Sequence, residues 1–170
     1  MDAAVAAALP AQRAPPLLTI TILGQPKGRT QPAPSILKAN PAKGRFQDRA
    51  MVFEDADTRS YQGVMKHCAS RAMREAGLQT PLDCPLRVRV TAVLSIPMSY
   101  SQKAQRAARE GHMRPTTKPD LENLAKQMDA FNKLVWRDDC LIVEEVIRKF
   151  YGTNPLLMVE VWRWAPPALL

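Results

Sequence analysis

The chain has 170 residues and a mass of 18.9 kDa, is 46% hydrophobic, and carries 24 Lys and Arg against 16 Asp and Glu, giving +8 and a pI near 9.8. This composition excludes a wholly disordered chain, suits one domain, and directs attention to a polyanionic partner, nucleic acid before an anionic membrane. Cys68, Cys84 and Cys140 form no C-x-x-C pair and no disulfide framework, so they read as reduced thiols in a cytoplasmic protein.

The Ala-rich start carries Asp2 where a signal peptide needs a basic region, and no apolar run approaches the ~20 residues that span a bilayer. Residues 1–16 read as a disordered extension, 17–164 as the folded domain and 165–170 as a tail. The first strand is expected over 17–23, β-branched and stopped by Gly24. From Gln25 to Asp48 the prolines and scattered cations, Lys27 and Arg29 among them, suggest one long functional loop. A helix is expected over about 57–75, with Tyr61, Val64, Met65, Cys68, Ala72 and Met73 at three- and four-residue steps. Thr58 or Asp57 can cap it and Gly77 can stop it.

Residues 86–96 alternate and then run continuously apolar, as a strand with one end partly wet does. A short basic helix over 101–110 leads into an extended segment holding His112, Arg114 and Lys118. A second main helix is expected over 119–134, with Leu121, Leu124, Met128, Phe131 and Val135 as its apolar stripe. Two strands, 141–150 and 156–164, follow, joined by a Gly-Asn-Pro turn. The order defines an α/β (α+β) domain: a mixed sheet of about four strands with two main helices, mostly on one face.

Carboxylates gather just beyond the basic segment, at Asp120, Glu122 and Asp129, then at Asp138 and Asp139 before a strand. Neighbouring carboxylates repel unless a cation neutralises them, and hard divalent cations take oxygen ligands. Beside a basic surface, such a site suits phosphodiester hydrolysis. Asp120 and Glu122 lie two apart and converge only if Asp120 sits in the lead-in to the helix, which Pro119 favours. On spacing alone the plainer reading is the stronger: Thr117 to Asp120 as a capping motif, Glu122–Lys126 as a surface ion pair, and the Asp138-Asp139 pair as turn chemistry.

The run Lys118-Pro119-Asp120-Leu121-Glu122-Asn123-Leu124-Ala125-Lys126, its continuation Asp129-Ala130-Phe131, and Trp136-Arg137-Asp138-Asp139 with Ile142-Val143 together resemble the RusA family of Holliday-junction resolvases. The likeness is dense over 118–149 and looser at Pro26-Lys27-Gly28-Arg29. It implies a homodimeric bacterial or phage endonuclease that cleaves four-way DNA junctions using Mg²⁺ or Mn²⁺, with a role in recombination and repair. By position in the motif, Asp120, Glu122, Lys126 and Asp139 match the catalytic residues. Asp120, Glu122 and Asp139, with Asp138 as neighbour, match the metal-binding acids, and Lys27, Arg29, Arg114 and Lys118 are the expected DNA contacts. The departure is Glu122, where the family pattern most often has Asp. The alternative is therefore a junction- or duplex-binding protein with weak or no nuclease activity, its metal geometry altered by the longer side chain. A third reading is a basic interaction protein whose acids are only caps and ion pairs.

Overall fold

The computed structural model describes residues 15–29, 33–44, 46–53 and 55–166. The expected extension over 1–16 and tail over 165–170 thus fall mostly outside the described residues. The elements are β1 (Leu18–Leu23), β2 (Ala33–Leu37), β3 (Arg49–Phe53), α1 (Ala56–Glu75), β4 (Leu86–Ser95), α2 (Gln102–Arg109), α3 (Leu121–Ala125), β5 (Ile142–Gly152) and β6 (Leu156–Arg163). Four strands form the expected mixed sheet in the order β1-β6-β4-β5. The β4–β5 pair is parallel and the other two pairs are antiparallel.

Alternation decides which side chains enter the core. In β1, Leu18, Ile20 and Ile22 are buried while Thr19, Thr21 and Leu23 are exposed. The inward faces of β1, β4 and β6 meet Tyr61, Met65, Ala69 and Met73 of α1, with Leu124, Met128, Phe131 and Trp136 completing the same cluster. The stripe on α1 is close to expectation, although Val64 is 48% exposed and Ala69 takes an inward place. Its cap is Asp55 rather than Asp57 or Thr58: the Asp55 carboxylate accepts from the Thr58 N–H at 2.8 Å and the Thr58 hydroxyl at 2.7 Å.

Two expectations are corrected. The supposed loop from Gln25 to Asp48 contains β2, which pairs antiparallel with β3 as a separate two-stranded ribbon. Pro34 is tolerated there because each strand of such a ribbon has an unpaired edge. The second main helix is broken. Its α-helical part ends at Ala125, a 3-10 turn follows over Lys126–Phe131, and the chain reverses at Lys133 with φ 63°. That reversal sets Trp136 edge-on to Phe131, ring centroids 5.7 Å apart, and both rings are fully buried. Burying two aromatic rings outweighs continuing a regular helix, and it leaves Leu121 46% exposed. The expected Gly-Asn-Pro turn joins β5 to β6 across the intervening β4. Skipping one strand spans about 9.5 Å, which residues 153–155 can bridge.

The opposite sheet face carries a small cluster of Val93, Phe150 and Leu156. Beside it Arg89 makes a two-pronged pair with Glu160, at 2.8 and 3.0 Å, with its guanidinium 4.8 Å from the Trp162 ring centroid. Both charged side chains are largely buried, at 8% and 12% exposure. Removing one partner of such a pair strands the other charge, so Arg89→Met is expected to cost about 3–5 kcal/mol. The double variant Arg89→Met with Glu160→Met should lose much less, and urea denaturation at neutral pH compares the two.

Candidate active site

Two segments carry the candidate residues, and both lie in the crossover between the parallel strands β4 and β5. The first is the lead-in to α3. Pro115 and Pro119 are buried, whereas Lys118 and Asp120 are exposed. Asp120 is the N-cap of α3, with φ −72° and ψ 155°, so it sits in the non-helical lead-in as expected. Its carboxylate makes no cap hydrogen bond, although a capping Asp ordinarily accepts from the first turn. The expected Thr117 capping motif is therefore not formed.

Glu122 stands in the first turn of α3, and the Lys126 ammonium donates to it at 2.6 Å. That hydrogen bond, followed by the Lys126 charge, holds the Glu122 carboxyl below its usual range. Asp129 continues the same side and is paired with Arg29.

The loop carrying Lys27, Gly28 and Arg29 lies directly against this turn. The Arg29 N–H donates to the Asn123 carbonyl at 2.9 Å, and the Gln127 side-chain amide donates to the Lys27 carbonyl at 3.3 Å. A Cβ on Gly28 would stand 2.8 Å from Pro119 Cβ and 2.9 Å from Asn123 Cβ, so only glycine permits this approach. Between the loop, the start of α1 and the α3 lead-in lies a cavity of about 410 Å³, lined by Lys27, Arg29, Lys118, Asp55, Asp57 and Asn123 among others. Three of the four expected DNA contacts thus border one hollow. Lys27 is 3.7 Å from Asp57, and Arg29 is turned toward Asp129.

The fourth, Arg114, is placed apart. Its guanidinium lies 3.8 Å over the Phe150 ring, and it donates to the Lys149 carbonyl at 3.4 Å. Desolvation, and then the charge of Arg148, lower its pKa.

The second segment enters β5. Asp138 caps the 3-10 turn Asp139–Leu141, accepting from the Cys140 N–H at 3.1 Å. The Cys140 thiol and N–H together hold the Asp138 carboxyl below its usual value, while Asp138 pushes the thiol up. Asp139 is exposed and lines a second cavity, of about 370 Å³, with Asp129, Cys140, Glu145, Met128 and Trp136. Desolvation raises the Glu145 carboxyl there.

The expected acids are therefore divided. Asp139 borders the second cavity, while Lys118, Pro119 and Asn123, around Asp120, border the first. Among the described residues no three Asp, Glu, His or Cys side chains are grouped to hold a metal ion. The donor chemistry still fits a hard cation. Asp120 and Asp139 present exposed carboxylates, and Mg²⁺ commonly takes one or two of these while keeping several waters. Sequence reasoning left Asn123, Gln127 and Glu145 out of the site. The first two reveal themselves only through backbone contacts, whereas Glu145 shares the inward-facing alternation of β5 with Ile147 and Tyr151.

Comparison with known proteins accords with this arrangement. The family Endodeoxyribonuclease RusA matches residues 31–162, most of the chain, and the chain belongs to that family. The match includes both acidic segments, while Lys27 and Arg29 precede it. The chain is also similar to the "Uncharacterized protein YqaN" of Bacillus subtilis (strain 168), 28% identical over 145 residues, covering 85% of this chain and 94% of that protein. Family membership makes the protein an endodeoxyribonuclease of the type that resolves branched DNA, and nucleases of this family generally depend on a divalent metal. Among the described residues no helix is long and apolar enough to cross a membrane.

The Glu122–Lys126 pair has a measurable signature. Lys126→Met should return the Glu122 carboxyl upward to its ordinary range, read by carbon NMR titration. Because the folded-state pKa is depressed, the pair's stabilisation is present at neutral pH and is lost as pH falls through the lowered value. The exposed position of Glu122 makes that stabilisation small.

Proposed function

We propose that this protein is a metal-dependent endonuclease that cuts four-way DNA junctions, acting as a homodimer in recombination and repair. The observation that carries the proposal is Asp120, an exposed carboxylate at a helix start that forgoes its cap bond, two residues before a lysine-bound glutamate within a family of DNA-cleaving enzymes. Asp120 and Glu122 are assigned to hold Mg²⁺ or Mn²⁺ at the α3 lead-in, and Asp139, in the separate turn that Asp138 orients, would join them only where the two segments close on the ion. A divalent cation held there would supply Lewis-acid activation of the phosphodiester and of the attacking water.

The protein's own residues do the rest. Lys126 lies where a fixed positive charge can stabilise negative charge developing on the phosphoryl group. Its hydrogen bond to Glu122 holds that carboxyl below its usual range, in the charged form that a cation would need. Lys27, Arg29 and Lys118, around one hollow, hold backbone phosphates, and their contribution weakens with salt as counterion release requires. Arg114 supports the adjoining segment from the Phe150 ring and adds charge at its edge. A twofold dimer would present two such sites to a twofold-symmetric junction.

Purified protein incubated with a labelled four-way junction and a matched linear duplex, with and without Mg²⁺ or Mn²⁺, tests the proposal. The expected result is paired, metal-dependent nicks in the junction alone. Asp120→Asn and Asp139→Asn should abolish cleavage while junction binding is kept or tightened, since each removes negative charge close to phosphate. Normal cutting by both variants would sink the assignment.

A further inference from the structure

The side of β5 that faces the helices carries Ile147, Lys149 and Tyr151 at every second position. Ile147 packs against the core and Tyr151 is buried in it. A lysine between two core residues, on the same face, needs partners for its ammonium. Lys149 finds them in the main chain: Nζ donates to the Thr117 carbonyl at 2.8 Å and to the Pro119 carbonyl at 3.0 Å. These carbonyls flank Lys118, and the second belongs to the peptide group that joins Pro119 to Asp120. Next on the same face, the Tyr151 phenol hydrogen-bonds the Thr117 side chain and contacts the Tyr100 hydroxyl at 3.1 Å. The opposite side of the segment meets Gly28, too close for any side chain there.

We propose that Lys149 is a positioning residue for the nuclease reaction: it clamps the backbone on both sides of Lys118 and thereby fixes where α3 begins and where the Asp120 carboxylate is presented. The clamp has a physical rationale. Asp120 has no cap bond of its own to tie it to α3, so its direction is set by the main chain that precedes it. A charged donor to two carbonyls makes shorter and stronger hydrogen bonds than neutral groups do. A lysine on a rigid central-sheet neighbour transmits the sheet's order to a segment that has no regular structure. Methionine can fill the same channel but can donate to neither carbonyl, whereas arginine retains donors and charge.

The inference rests on the nuclease reading, and its test separates the two. Junction cleavage and hydrogen exchange are measured for the wild type, Lys149→Met and Lys149→Arg. Lys149→Met should lower kcat by about 10- to 100-fold, the usual effect of removing a group that orients an active-site ligand, with KM for the junction unchanged. Exchange should quicken over residues 117–125 and stay unchanged in α1, and Lys149→Arg should recover most of both. Should Lys149→Met fail to fold, Lys149→Gln, which offers one amide to two carbonyls, replaces it. Wild-type kcat together with wild-type exchange in Lys149→Met would overturn the proposal. So would faster exchange throughout the domain that Lys149→Arg does not rescue. If the wild type leaves the junction uncut, the nuclease reading fails, and exchange over residues 117–125 alone decides whether Lys149 holds Asp120 in place.

Discussion

The fold depends on β4 being the central strand and running parallel to β5. Its residues from Val88 to Leu94 are buried without interruption, as befits a strand covered on both faces and paired on both edges. A parallel neighbour cannot be reached by a tight turn. The chain must return to the starting end of the sheet before β5 can form, and a crossover is unavoidable. That crossover holds α2, the extended 111–119 segment, α3 and the acidic turn at Asp138 and Asp139. Every residue assigned to catalysis is thus carried by one connection, pinned at its two ends by the same pair of strands. The pairing also separates the acids along the sheet. The turn carrying Asp139 leads into Ile142, which pairs with Leu86 at the start of β4, whereas the backbone before Asp120 is held by Lys149, opposite Ala92 toward the far end.

The positive charge, considered residue by residue, is less available to a partner than +8 suggests. Arg89 is closed off with Glu160, Arg87 meets Glu144 at 3.0 Å, Arg137 meets Asp83 at 2.7 Å, and Arg29 meets Asp129. Arg114 lies over a phenylalanine. Arginine is suited to such work because its planar fork holds carboxylates and stacks on rings. Lysines fill the more open positions: Lys118 is exposed beside the first hollow, and Lys103 shares an open basic groove on α2 with Arg106 and Arg109. Exposed ion pairs are weak and exchangeable, so the pairs of Lys27 with Asp57 and Arg29 with Asp129 can yield to a phosphate more readily than the Arg89 pair can. Arg89 is thus closed within the fold, whereas Lys27, Lys103 and Lys118 stay at the surface with Arg29, Arg106 and Arg109.

Much of this was legible in the sequence because the main strands and α1 obey simple periods. β1 alternates, β4 is a continuous apolar run, and α1 repeats at three and four residues, so their number, type and approximate bounds followed from hydrophobic pattern alone. The broken second helix was not legible. Leu121, Leu124, Met128 and Phe131 satisfy helical spacing whether the backbone is α or tightens to 3-10, and the deciding contact, Phe131 on Trp136, spans a reversal at Lys133 that no local signal marks. The β2–β3 ribbon was hidden by prolines, which argue against a central strand but not against one with a free edge. The strand exchange that seats β4 between β5 and β6 depends on long-range pairing, to which a turn signal is blind. At the site, residue types were readable from the motif, but their placement was not. Asp129 resembled one more acid on the lysine's face until Arg29, a hundred residues earlier, was found beside it.

Caps show most clearly how site and scaffold part company. Asp55, Ser101 and Asp138 each begin a helical element, and each side chain accepts an N–H from the turn it starts. Asp120 has the same extended backbone conformation at the same position and makes no such bond. A cap bond stabilises a helix by about 1 kcal/mol, so leaving it unmade is a real loss for a five-residue helix, too short to persist by its own propensity. The structure compensates from outside the helix. Lys149 holds the carbonyls before it, Gly28 closes on its first turn, and Leu124 anchors its inner side in the core. Local stability has been moved from the Asp120 side chain to the surrounding backbone, and the carboxylate is thereby left unengaged at the surface.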